Sequence, residues 1–201
     1  MIILKKIILL QIFLFLLSLS IKAQVKTNLD VMNILIDHSV ADISNNINKE
    51  SEIYLNFNSS SKYGLFKNRI ITDLQKSVYR LRDMRGQEVT ELSYSLNRAK
   101  VNYEDVIKDG LFGGYLVKRK ISIGGSYYLS KKGNIIISNN FNYSNTDTVD
   151  YDKLKEVENP AYPFSTGDIP SIPFFSGIWE PVLALGTAAI TIFLFFTVRS
   201  N

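Results

Sequence analysis

The 201-residue chain contains no cysteine. Disulfides, thiol nucleophiles, thiolate metal sites and a lipid-anchoring cysteine are therefore excluded. His38 is the single histidine, so a His-based zinc cluster is excluded too. Only five prolines occur, all between positions 160 and 181. Proline removes a backbone donor and fixes φ, so proline-free 25–158 marks the folded part. An excess of charge is missing from the same region. Lys5, Lys6, Lys22 and Arg199 lie outside 25–180, and no acidic residue accompanies them. Removing these four from 23 Lys+Arg leaves 19, against 19 Asp+Glu, so the formal net charge of +4 belongs to the two ends. A neutral middle lacks the basic face that displaces counterions from phosphates, which argues against a nucleic-acid partner.

What the ends do contain is apolar. Lys5 and Lys6 precede a run over 7–19 broken only by Gln11 and Ser18, and a short polar stretch closes at Ala23-Gln24. This is the three-part pattern of a secretory signal peptide over 1–24, with cleavage expected after Ala23. Export without disulfides fits a bacterial envelope. Residues 181–198 read PVLALGTAAITIFLFFTV and carry no charge. Their length is at the short end of a bilayer span. Trp179 precedes them at interface level, and Arg199 follows on the side that the positive-inside bias assigns to the cytoplasm. The expected topology is a single-pass protein of the bacterial inner (cytoplasmic) membrane, with its domain facing the periplasm or outside.

The chain thus divides into an export signal (1–24), an extracytoplasmic domain (25–158), a Pro- and aromatic-rich juxtamembrane linker (159–180), a transmembrane helix (181–198) and a cytoplasmic tail (199–201). Within the domain, Leu29, Met32, Ile36, Val40, Ile43 and Ile47 are spaced 3, 4, 4, 3 and 4, one face of an amphipathic helix. Ile53 to Phe57 suits a half-buried strand. Phe66, Ile70, Leu74, Val78 and Leu81 form a second helical stripe. After Gly86 the period switches to two: Leu92, Tyr94 and Leu96, then Val101 and Tyr103. Val117, Arg119, Ile121 and Ile123 share one face of a further strand. A hairpin is expected at Ser130-Lys131-Lys132-Gly133, and Phe141 and Tyr143 continue the alternation. The fold class is α+β: two N-terminal helices packed on a mainly antiparallel sheet, plus the C-terminal transmembrane helix.

The run from Ile53 to Leu81 and the hairpin from Tyr115 to Ile137, with its Lys-Gly-Asn turn, give the order helix, strand, polar loop, helix, sheet. In this order the chain resembles the periplasmic α/β domain of curli-secretion and flagellar-assembly lipoproteins. The resemblance covers about a quarter of the chain and implies an α/β domain in the cell envelope. The chain departs from that family in lacking the lipidated cysteine and in ending on an apolar helix. Outer-membrane attachment and pore formation are therefore not implied.

Candidate chemistry is sparse. His38 lies two residues past Ile36, about 200° around the helix, and should face away from the apolar stripe. Ser59-Ser60-Ser61-Lys62 matches S-x-x-K, in which a lysine activates a serine. The companion S-D-N and K-T-G are absent, and the motif falls in a loop. Asp147, Asp150 and Asp152 form an acidic cluster of a kind that attracts calcium, but without the EF-hand spacing and glycine, so a solvated turn is the expected reading. Gly110, Gly113 and Gly114 lack the Lys-Ser/Thr of a phosphate loop. Lys118-Arg119-Lys120 and Lys131-Lys132 place positive charge on one hairpin, suited to lipid head groups, to an acidic partner or to guarding a sheet edge. The eleven tyrosines suit sheet pairing first and a binding surface second. The sequence leads to no catalytic set, no cofactor and no metal. Its leading reading is a non-enzymatic envelope protein whose partners are the membrane and other envelope proteins, possible tasks being secretion or surface assembly. Alternatives are a ligand-binding sensor subunit and a serine–lysine hydrolase using Ser59 or Ser61 with Lys62.

Overall fold

A computed structural model describes residues 25–49, 51–77, 80–110, 113–173 and 179–198. The export signal expected over 1–24 and the tail 199–201 lie outside these residues, as do Val78, Phe174 and Phe175.

Helix α1 (Asn28–Ser44) starts at a capping box. The Thr27 hydroxyl accepts the Asp30 backbone N–H, and the Asp30 carboxylate accepts the Thr27 N–H at 3.1 Å. Of the expected stripe, Met32, Ile36, Val40, Ile43 and Ile47 are buried and Leu29 is partly buried, and Val31 and Leu35 widen the buried face. Strand β1 (Glu52–Phe57) follows, then a 3-10 turn (Ser61–Tyr63) and helix α2 (Leu65–Lys76). The second helical stripe was expected to reach Leu81, but α2 stops at Lys76. Ser77 closes it, with both backbone N–H and hydroxyl bonded to the Asp73 carbonyl. Leu81 instead sits in β2 (Arg80–Arg82), opposite Ile53. An edge of β1 was open to pairing, and no local periodicity reports that.

Three long strands complete the sheet: β3 (Thr90–Lys108), β4 (Tyr115–Lys131) and β5 (Asn134–Asp150). The strand order is β2-β1-β3-β4-β5. The β3–β4 and β4–β5 ladders are antiparallel, as expected, whereas β1 pairs parallel with both β2 and β3. The sheet is therefore mixed. Helix α2 carries the chain back to the start of the sheet, which is what a parallel pair requires. The break in alternation between Leu96 and Val101 has a local cause. A register shift between Leu96 and Arg98 inserts one residue, so Leu96, Ala99, Val101 and Tyr103 all reach the core. The β4–β5 turn falls at Lys132-Gly133, both at positive φ (53° and 79°).

One sheet face packs against α1 and α2, with Tyr94, Leu92, Leu96, Ile121 and Ile123 buried beneath them. Gly125 of β4 lies in this layer. A Cβ there would stand 2.1 Å from the Ser95 carbonyl oxygen and 2.6 Å from the Phe141 ring. Gly125→Ala is expected to destabilise the domain by about 1–3 kcal/mol through overpacking against backbone. A lowered urea midpoint with unchanged slope is the readout.

The proline-rich stretch is partly docked rather than free. After β5 come a 3-10 turn (Tyr151–Lys153), the one-turn helix α3 (Leu154–Val157) and a second 3-10 turn (Pro163–Ser165). Phe164 joins the core between Tyr63 and Phe66, at ring distances of 5.2 and 5.7 Å. The Tyr151 hydroxyl donates to the Pro170 carbonyl at 3.1 Å. Beyond the docked part comes helix α4 (Trp179–Val198), whose side chains over 181–197 are all exposed. Among the described residues no helix is long and apolar enough to cross a membrane, so the transmembrane helix expected over 181–198 is not shown by the structure. The charge-free run rises about 27 Å, against a hydrocarbon core of about 30 Å.

Candidate functional site

The sheet face away from α1 and α2 is the open one. Strand register sets Arg82, Tyr54, Glu91 and Ser130 side by side across β2, β1, β3 and β4. Tyr54, Glu91 and Ser130 floor a groove of about 630 Å³, walled by Arg85, Gln87 and Val89 of the β2–β3 connection and by the Lys132-Gly133 turn. Glu91 is its polar anchor, with a side chain only 16% exposed. One carboxylate oxygen, Oε1, accepts from Asn56 Nδ2 at 2.9 Å and from Arg85 Nη2 at 2.7 Å. Arg85 also lies 5.8 Å from the Tyr54 ring centroid, over its face. The result is a cationic and aromatic rim above a hydrogen-bonded carboxylate. It offers donors, acceptors and a π-face, and its lining holds neither histidine nor cysteine. None of these residues stands out in the sequence, because three different strands supply them.

A second polar cluster is centred on a buried arginine. Arg119 has no exposed side-chain surface. It binds Asp147 through Nε at 2.8 Å and Nη2 at 2.5 Å, and its Nη1 donates to the Lys26 carbonyl and to Asn28 Oδ1, each at 2.9 Å. Asn28 Nδ2 then donates to the Tyr103 hydroxyl and the Ser165 carbonyl, each at 2.8 Å. The network ties the start of α1, the far half of the sheet and the docked 159–168 stretch into one body. An arginine among Val117, Ile121 and Ile123 was its signal, since a charge on an apolar strand face requires a buried partner.

The residues singled out from sequence fall as follows. Ser59 Oγ accepts the Leu96 backbone N–H at 2.7 Å, and Lys62 places its ammonium 4.8 Å from the Tyr63 ring centroid. Each thus has a structural contact at the β1–α2 connection. Ser59→Ala is expected to cost about 1 kcal/mol by leaving that N–H unbonded, again read by urea unfolding. His38 is exposed on α1, facing away from the core. The acidic cluster is divided: Asp147 turns inward to Arg119, and Asp150 pairs with Lys153 at 3.0 Å. Among the described residues no group of three metal-ligating side chains comes together. The basic hairpin is divided as well. Lys118 pairs with Glu104 at 3.1 Å, Lys132 with Glu88 at 2.8 Å, and Arg119 is inside.

The tyrosines form part of an aromatic row under α1. Phe57, Tyr94, Phe141 and Tyr143 follow one another at 6.2, 5.1 and 6.1 Å. The Tyr94 hydroxyl bonds Ser39 Oγ at 2.8 Å, and the Tyr143 hydroxyl donates to Asp42. Burial pushes the Tyr94 phenol well above its ordinary range, and pushes Tyr103 and Tyr143 up to about 12. An acid whose folded pKa is raised ionises first in the unfolded chain. Stability is therefore expected to be unaffected by these groups below pH 10 and to fall as pH rises from 10 toward 12. Tyrosinate absorbance should show the same delay, with late-titrating phenols released only on unfolding.

No known protein family matches the chain, and no curated protein matches it. Among solved structures, the chain is similar to a neuraminyllactose-binding hemagglutinin homolog from Helicobacter pylori, at 11% identity and a TM-score of 0.37, over 58% of this chain and 79% of that one. It is also similar to the rare lipoprotein B from Shewanella oneidensis, at 11% identity and a TM-score of 0.30, over 69% and 86% of the two chains. Similarity at this level carries no argument about function.

Proposed function

We propose that this protein is a single-pass envelope protein, held at a bacterial inner membrane by 181–198, whose α/β domain works outside the cytoplasm as a non-catalytic interaction module. The carrying observation is α4, a helix charge-free over 181–198 whose side chains over 181–197 are all exposed. A helix of that kind needs an apolar surrounding, and a bilayer supplies one. The shortfall of about 3 Å against the hydrocarbon thickness is met by local thinning at a fraction of a kcal/mol per Å. The basic and apolar pattern of 1–24 supports export, and the neutral domain supports contact with protein rather than nucleic acid.

The groove around Glu91 is the contact site in this reading. Its test is pull-down of the tagged full-length chain from crosslinked, solubilised membranes. Envelope proteins should be recovered with the native chain and lost with Tyr54→Ala and Arg85→Glu. Recovery of the same proteins with both variants removes the groove from the reading. Recovery of the tagged chain alone removes the interaction role.

A further inference from the structure

The sheet ends on β5, which has a neighbour on one side only. An edge strand exposes unpaired N–H and C=O groups along its length, and natural sheets blunt such edges with lysine, proline, bulges or shortness. The other edge follows that rule: β2 is three residues long and two of them are arginine. Strand β5 does not follow it. It is 17 residues long. Residues 137–149 contain no lysine, arginine, glutamate or proline, and their one acid, Asp147, is bound to Arg119. The only register irregularity with β4 is at Leu129/Ser130, next to the hairpin turn. On the face away from the helices, Ser138, Asn140, Asn142, Ser144, Thr146 and Thr148 stand exposed in a row. These short neutral amides and hydroxyls both donate and accept, so each can bond its own kind.

We propose that β5 pairs with β5 of a second copy of this chain, antiparallel about a two-fold axis, joining two sheets into one. The charges at the strand's ends select this partner and this direction. At the start, Lys131 and Lys132 share one carboxylate, Glu88, an excess of one positive charge. At the finish, Asp147 and Asp150 are paired with Arg119 and Lys153, and Asp152 adds an exposed negative charge just beyond the strand. Antiparallel pairing sets the basic end of each copy against the acidic end of the other, twice over. Parallel pairing sets like against like. The contact is isologous, so it closes at two copies.

The absence of cysteine makes the test clean. Single cysteines replace Asn140, Asn142, Ser144 or Thr146 in the full-length chain in detergent micelles, with His38→Cys on α1 as the off-site control. The expected result is a dimer by light scattering. Oxidation should then give a disulfide yield that peaks at one β5 position and falls on either side, with little at position 38. Ser144→Lys and Asn142→Lys should each weaken dimerisation at least tenfold, with unchanged circular dichroism. A monomer at every concentration overturns the proposal. So does a dimer whose cross-linking is uniform along β5, or one indifferent to both lysine variants, which would assign the contact to another surface.

Discussion

Replacing Asp147 with asparagine is expected to destabilise the domain by about 3–5 kcal/mol, as breaking one partner of a buried ion pair does. Asp147 lies directly across the β4–β5 ladder from Arg119. It is 39% exposed, whereas the guanidinium it serves is not exposed at all. An arginine cannot release its proton to escape burial. The isosteric amide leaves the shape of the site intact and removes the charge paired with it. The urea midpoint should fall by a large fraction of total stability, since whole domains are held by only about 5–15 kcal/mol. Combining Asp147→Asn with Arg119→Met should recover part of the loss by removing the stranded charge. Recovery should be incomplete, because the Lys26 carbonyl and Asn28 Oδ1 lose their donor. The same variant tests the reading of Asp147, Asp150 and Asp152 as a calcium cluster. A calcium ligand predicts that calcium raises the wild-type midpoint and that Asp147→Asn is mild without the ion. An ion-pair partner predicts a calcium-independent midpoint and a severe variant.

The second large effect concerns anchoring. Ile190 lies near the middle of 181–198 and is 61% exposed in the chain by itself. Ile190→Arg places a charge at the helix centre, where insertion costs about 2.5–3.5 kcal/mol. That corresponds to a shift of about 10²-fold from the membrane pellet toward the carbonate-soluble fraction. Thr197→Arg, beside Arg199, should have little effect, because a long side chain near a helix end reaches the interface. Removal of 1–24 should first be verified by mass spectrometry, since an uncleaved signal would hold the chain independently. If Ile190→Arg stays in the pellet as firmly as the unaltered chain, α4 is not the anchor.

Much of the architecture was legible in the residues because it rests on local periodicity. The α1 stripe from Met32 to Ile43 and the alternation through Val117 and Ile123 record which side faces a core. The Lys132-Gly133 turn was legible for a similar reason, since the positive φ at Gly133 is a local demand that glycine meets. The candidate site was not legible. Tyr54, Arg85, Glu91 and Ser130 come from separate segments, and only strand register brings them into one groove. Leu81 was misplaced for the same reason: whether it extends α2 or pairs with Ile53 depends on an edge of β1 that is remote in sequence.

By itself, then, the sequence determined the absence of thiol chemistry, the neutrality of the folded part, the two apolar ends and the alternation of the main strands. These are sums over residues or patterns within one segment. Only the tertiary structure decided that β1 pairs parallel on both sides, that the stretch after β5 docks through Phe164, and that Arg119 is an interior ion-pair partner rather than part of a basic surface. Each of these turns on burial and on hydrogen bonds between residues distant along the chain. Their free energy exists only once the sheet has brought those groups together.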